Sequence, residues 1–298
     1  MSSYFDNKEL FSGPKTNQYG SHMVMTNVMK QSKKKYVNID TKFRDEYNIN
    51  VVTDCNITLP ERITDVHSIS VTNAEIPMTF FNISENLGNN AMKVDSTIIV
   101  IPDGEYTLTT LVAALNAGKT ALTIMFAVDT SGNKITISST SGEHTIDFGV
   151  DSIGGFAKYN FKSRLGWIMG FRRQTYTIKS AGTISMTSEF LVDLSGPRYL
   201  YLVIDEFTGN GNQKSFISPL PSSVINKNII ARIPINKQFY SFMSILPASI
   251  ANGMLSDTRS YTGKVDIQKL NVQLVNENGI AMDLNGADFS FCLEIEHE

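Results

Sequence analysis

Between residues 36 and 84 the sequence reads YVNIDTKFRDEYNINVVTDCNITLPERITDVHSISVTNAEIPMTFFNIS, and its opening limits the fold more than any other feature. Val37, Ile39, Thr41 and Phe43 alternate with Asn38, Asp40 and Lys42. That period of two belongs to a strand with one buried and one wet face. A polar break over 44–50 follows, then a second short strand over 56–59 that Pro60 is expected to stop. In the third strand Val66, Ile69, Val71, Ala74 and Ile76 cannot share one face without slips of phase after Val66 and after Val71. Extra residues at those two points, as β-bulges, reconcile the pattern with a single buried face.

The rest of the chain is consistent with a β-rich class. Charged residues make up only 18%, and short apolar runs alternate with Thr, Ser, Asn and Gly, the look of many strands joined by polar turns. The formal net charge of −3 is unevenly placed: residues 1–35 hold six Lys against two acids, leaving −7 on the remainder. Two cysteines, Cys55 and Cys292, make neither a disulfide framework nor a metal quartet, and MSSYFDNKELF lacks the pattern of a secretion signal. A reducing compartment is the expectation. Apolar runs of about five residues fall far short of the roughly 20 that cross a bilayer as a helix.

Residues 1–35 have no helical or strand period and read as an extended arm ending in Lys33, Lys34 and Lys35. After residue 84 the pattern changes. A strand over 97–101 and a Pro-Asp-Gly-Glu turn lead to a helix, with Thr107 as N-cap, Leu108, Leu111, Val112 and Leu115 on one face, and Gly118 as a left-handed cap. Alternating strands return around 122–128, 135–137 and 144–148, and the segment closes on RLGWIMGFRR (164–173), which holds the chain's one Trp. From Ile184 the alternation resembles the first strands again. Residues 199–207 are apolar on both faces, as in the middle of a sheet packed on both sides. A polar stretch over 208–228 is longer than compact domains usually keep without a task. The last strand is the cleanest, with Phe289, Phe291, Leu293 and Ile295 inward and Ser290, Cys292, Glu294 and Glu296 outward.

Reactive groups do not assemble by spacing. Gly118-Lys119-Thr120 closes a helix instead of opening one, so it cannot act as a phosphate loop. His22, His67, His144 and His297 contain no pair at metal spacing, and 283–288 lacks the acidic ligands of a calcium loop. No catalytic residue, metal or cofactor is expected. The residues marked for partner binding are Lys33, Lys34 and Lys35, as a weak anchor to an anionic surface, and Trp167, Phe171, Arg172 and Arg173, because Trp and Arg recur at interface hot spots.

The order NIDTKFRDEY, NITLP, a Val/Ile strand ending NAEIP, PDGEYT, GPRYLYLVIDEF (196–207) and DLNGADFSFCLEIE (283–296) resembles the minor capsid proteins of nucleocytoplasmic large DNA viruses over most of the chain. The resemblance implies a non-enzymatic virion protein assembled in the host cytoplasm. Its implied partners are the major capsid protein, other minor capsid proteins, an anionic inner membrane, or further copies at a vertex, with no specific nucleic acid. The expected fold is mainly β: a jelly-roll-like, two-sheet sandwich over 36–84 and 183–298, an inserted β/α subdomain over 85–182, and the arm over 1–35. The alternatives are a penton protein of the same capsid and a carbohydrate-binding module using Tyr199, Tyr201, Tyr240 and Tyr261 as a sugar platform.

Overall fold

The computed structural model describes residues 32–49, 51–119, 122–155, 161–179, 185–207, 216 and 228–298. The arm expected over 1–35 therefore lies outside the described residues up to residue 31, and so does most of 208–228. In chain order the strands are β1 (Lys33–Asp40), β2 (Asp54–Pro77), β3 (Ala91–Val94), β4 (Thr97–Val100), β5 (Ile124–Val128), β6 (Ile135–Ser139), β7 (His144–Asp147) and β8 (Thr175–Ile178). Then come β9 (Ser185–Thr187), β10 (Tyr199–Asp205), β11 (Ile229–Pro234), β12 (Ile245–Ser249), β13 (Leu255–Ser256), β14 (Arg259–Asn276) and β15 (Ser290–His297). The α-helices are α1 (Leu108–Gly118) and the short α2 (Leu165–Ile168).

β2 organises the larger unit. Its first part pairs antiparallel with β14, its second with β15, and its last residues with β12. β1 extends the β15 side, while β10, β11 and β13 extend the β14 side. Both groups of strands bury side chains in one cluster, Ile39, Phe291, Leu293 and Leu246 from the first and Leu202, Ile233, Val272 and Leu274 from the second. The protein is thus mainly β and sandwich-like. At the far end the sheet curls back, and Val71 N donates to Ser256 Oγ of β13 at 3.0 Å.

The phase slips in β2 are bulges. Against β15 the register skips His67 between Val66 and Ser68, and skips Thr72 between Val71 and Asn73. Pro60 does not end a strand, as expected, but lies inside β2. Between Thr58↔Lys269 and Ile63↔Ile267 β2 carries surplus residues, and the missing proline N–H falls where no ladder bond is demanded. A further irregularity nearby holds Asp65 at φ 56.

The inserted part has two small sheets, β4-β3-β7-β8 and β5-β6-β9, closed over a second cluster with Leu111 and Leu115 of α1. Thr107 caps α1 through a reciprocal pair with Thr110. Gly118 is the last helical residue, not a left-handed cap; Lys119 follows at φ −74. A Cβ on Gly118 would lie 3.2 Å from Ile99 Cγ2, so glycine lets the helix end approach β4. β9 departs from the expected return to the first sheet: it pairs with β6, and Val192 and Leu194 pack on the second cluster. The return comes at β10. Residues 188–198 lack the strand expected there because Gly170, at φ +90, lies so close to Phe190 O that a Cβ would stand 2.1 Å from it, fixing this segment against the α2 turn.

Asn82 joins the two parts. It is 3% exposed. Its Nδ2 donates to Tyr106 O (2.8 Å) and Leu194 O (3.1 Å), its Oδ1 accepts from Tyr106 N (2.8 Å), and its own N–H donates to Glu105 Oε2 (3.0 Å). One amide therefore holds the outgoing and returning chain together where the insertion leaves the sandwich.

Phe291 lies in a row Ile39–Phe291–Ala74 across three strands and is 1% exposed. Phe291→Ala is expected to cost about 3–5 kcal/mol in urea or thermal unfolding, whereas Lys34→Ala on the same ladder should leave the transition nearly unchanged.

Candidate assembly interface

Residues 238–256 contain no charged side chain. They nevertheless form an exposed edge, where Phe239 is 75%, Met243 78%, Ile245 62% and Ile250 67% accessible. The turn before β12 is anchored by Met78 N to Ser244 O (2.8 Å) and Met243 N to Met78 O (2.9 Å), while Phe242 stacks on Phe81 at 5.8 Å. The backbone is thus fixed with Met243 at φ 67 and its side chain outward. Several large apolar side chains held exposed within one short stretch are a feature of interaction sites. Among the described residues β12 pairs only with β2 and β1 only with β15, so both strands present an open edge.

The expected binding residues separate into different roles. Lys33–Asp40 is a strand, so Lys33, Lys34 and Lys35 belong to the sandwich and not to the arm. Lys34 Nζ meets Glu294 at 2.6 Å and Lys35 Nζ meets Glu61 at 2.9 Å, which ties two of the three charges to the chain's own acids. Phe171 cannot touch a partner: it is fully buried, stacked on Phe148 at 5.2 Å. Arg172 is an internal clamp. Its guanidinium lies 4.0 Å from the Trp167 ring centre and 4.4 Å from that of Phe190, and donates to Trp167 O, which also accepts from Gly170 N, and to Phe171 O just beyond α2. Arg173 is exposed and Trp167 half-buried. Gly166 is needed under them, because a Cβ there would stand 2.4 Å from Phe148 Cγ.

A buried ion pair closes the base of the 208–228 stretch, and nothing in the sequence announces it. Arg259 and Glu206 are 3% and 6% exposed. Arg259 Nη1 donates to Glu206 Oε2 (2.6 Å) and Ile204 O (2.8 Å), and Nη2 to Asn228 O (2.9 Å). Tyr261 OH donates to Glu206 Oε1 at 2.5 Å; burial, then the neighbouring carboxylate, raise its phenol far above the usual range and keep it a donor. One side chain of β14 thereby grips both ends of that stretch.

Two further polar arrangements have a chemical look. His144 Nδ1 lies 2.7 Å from Asp95 Oδ2 and its Nε2 lies 2.8 Å from Thr123 Oγ1, an order of groups like that of a hydrolytic triad. The Thr123 hydroxyl, however, donates to Ser141 O at 2.6 Å, and His144 Nε2 is itself 3.0 Å from that carbonyl. Hydroxyl and ring both serve the 140–144 turn. The hydrogen bond from His144, then that from Thr145 N–H, hold the Asp95 carboxyl below its usual range. The second arrangement is a cleft of about 420 Å³ at the seam of the two parts, walled by Trp167, Tyr199, Leu87 and Ile168 and floored by the 276–278 turn. Cys55, the more buried thiol, is pushed up to about 11 mainly by burial and stays protonated.

The tyrosine platform does not form. Tyr201 and Tyr261 are buried, and Tyr199 is covered by Arg232 at 4.1 Å from its ring centre.

No family model matches the sequence, and no curated protein does. Solved structures align loosely over most of the chain. A chain of the Sputnik virophage, seen by cryo-EM at 3.5 Å, is 13% identical with a TM-score of 0.40, covering 90% of this chain and 98% of its own. The mavirus penton protein is 9% identical with a TM-score of 0.38, covering 90% and 100%. VP17, a capsid protein of bacteriophage P23-77, is 9% identical with a TM-score of 0.18. Superpositions this loose bear on no residue of this chain, whose role rests on its own surfaces.

Arg259→Met leaves Glu206 buried without its cation and is expected to cost about 3–5 kcal/mol. The double variant Arg259→Met with Glu206→Leu should recover most of that loss. A denaturant cycle over the four proteins measures the coupling, and additive losses would refute it.

Proposed function

We propose that this protein is a non-enzymatic structural component of a large icosahedral DNA virus capsid, a minor capsid protein that joins neighbouring shell proteins. The observation that carries this reading is the fixed, uncharged edge over 238–256, which holds large apolar side chains in water beside an open strand. A surface of that kind serves permanent burial against protein. The motif order along the sequence supports the same class and implies a virion location, with assembly in the host cytoplasm and major and minor capsid proteins as partners.

The arm is the second assembly element. Residues 1–32, ahead of β1, hold three Lys against two acids, a net +1, and eleven apolar side chains. Fixing that length of chain costs on the order of 30–60 kcal/mol in backbone entropy, which a large partner surface or an anionic inner layer would have to offset. Trp167 and Arg173 are proposed as minor contacts; Phe171 and Arg172 act from inside.

A second reading, self-association at a vertex, is favoured by strand direction. β1 runs parallel to β2 and β12 antiparallel to it, at the two sides of the array β1-β15-β2-β12. A copy set beside another in the same orientation would bring β1 against β12 antiparallel, a head-to-tail contact that can repeat.

A chain beginning at Lys33 keeps β1 whole. It is expected to melt with the full-length protein yet fail to enter particles. Met243→Asp with Ile245→Asp should also melt normally and lower incorporation at least about tenfold. Normal incorporation of both variants, measured by quantitative mass spectrometry of purified virions, would rule out both elements.

A further inference from the structure

The cleft at the seam contains a carboxylate without a visible task. Glu277 sits in the turn after β14, between Asn276 and Asn278. The Asn276 side chain makes the turn itself, its Oδ1 accepting from Asn278 N (2.9 Å) and Ile280 N (3.0 Å). Glu277 Oε2 is shut off from solvent and has no hydrogen-bond partner among the described residues. Desolvation raises its pKa, and its own backbone N–H and the charge of Arg198 only partly oppose that. Arg198 is engaged elsewhere, donating to Asp193 Oδ2 at 3.1 Å. A buried carboxylate oxygen left unpaired is costly, and a positively charged donor is the group that relieves it best.

The walls suit the rest of such a donor. Trp167, Leu87 and Ile168 offer apolar surface along which an aliphatic stem can lie while its charged end reaches Glu277. The aromatic rings of this region already take guanidinium groups on a face, Arg172 on Trp167 and Arg232 on Tyr199. We infer that the cleft between Trp167, Tyr199 and Glu277 is a recognition site for a basic side chain, arginine above all, carried by a segment of a partner protein, with Glu277 as the anchoring carboxylate. The site is distinct from the apolar edge and does not depend on the capsid reading. Its position also has a consequence: an occupant would touch the sandwich through Glu277 and the insertion through Trp167, bracing the two parts against each other.

Trp167 is the chain's one tryptophan, so its fluorescence reports on this cleft alone. The probe is Nα-acetyl-arginine methylamide, titrated at low salt, with the neutral isostere Nα-acetyl-citrulline methylamide beside it. The arginine probe is expected to change the Trp167 emission saturably, and Glu277→Gln to weaken it about tenfold or more, while citrulline gives little response. Glu277→Gln should keep or raise the melting temperature, because it removes the charge from a half-buried carboxylate one of whose oxygens is shut off from water. Equal binding of the arginine probe by the parent and Glu277→Gln, an equal response to citrulline, or a melting temperature that falls in Glu277→Gln would each overturn the assignment.

Discussion

One strand has to serve both halves of a single curled sheet, and most of the sandwich follows from how β2 does so. A strand of this length cannot stay straight and cover a core on one face, because twist carries its side chains around with it. The bulges at His67 and Thr72 and the surplus around Pro60 reset the phase each time. As a result Ile57, Ile63, Val66, Ile69, Val71, Ala74 and Ile76 all reach one apolar cluster although they do not alternate strictly. The irregularities are what let a single strand bend from the β14 side to the β15 side, and without them half of these side chains would face water.

Polar side chains do the joining where strands cannot. At the seam, backbone groups of 106 and 194 arrive from parts of the chain far apart in sequence and have no ladder to enter. Asn82 supplies both donor and acceptor in one planar group, so their hydrogen bonds are met without water. The ladder of β1 on β15 is supported differently. There Lys34 and Glu294 lie on the exposed face, where screening leaves such a pair worth little, and the apolar face of Ile39 and Phe291 holds the strand.

The sandwich was legible in the sequence where one face is buried and the other wet. The period in 37–40 and 289–295 and the slips in β2 follow from one apolar cluster, and the two-sided burial of β10 from that cluster and a second one around Tyr201 and Val203; Phe43, expected on the buried face, is exposed because the chain turns at Thr41–Phe43. Pro60 misled because the rule it follows concerns ladder bonds, and a bulge removes the ladder locally. β12 and β13 were missed for the opposite reason: they are short edge strands whose outward side chains are apolar, so no alternation marks them. The same inversion hid the candidate interface. In RLGWIMGFRR, residue types typical of hot spots were met first as a closed internal cluster, since Phe171 and Arg172 satisfy the α2 turn. Arg259, Glu206 and Glu277 gave no signal, because a charge is informative only once its burial is known.

The grip of Arg259 on Ile204, Glu206 and Asn228 seals the core on the near side of the stretch that follows. The pair takes its described partners from Ile204, Glu206 and Asn228, so it fixes where the chain leaves and where it returns. Such a joint is a natural graft point. Sequence between the anchors, outside Phe216 with its ring 6.0 Å from that of Tyr201, could be lengthened or exchanged while those two points stay fixed.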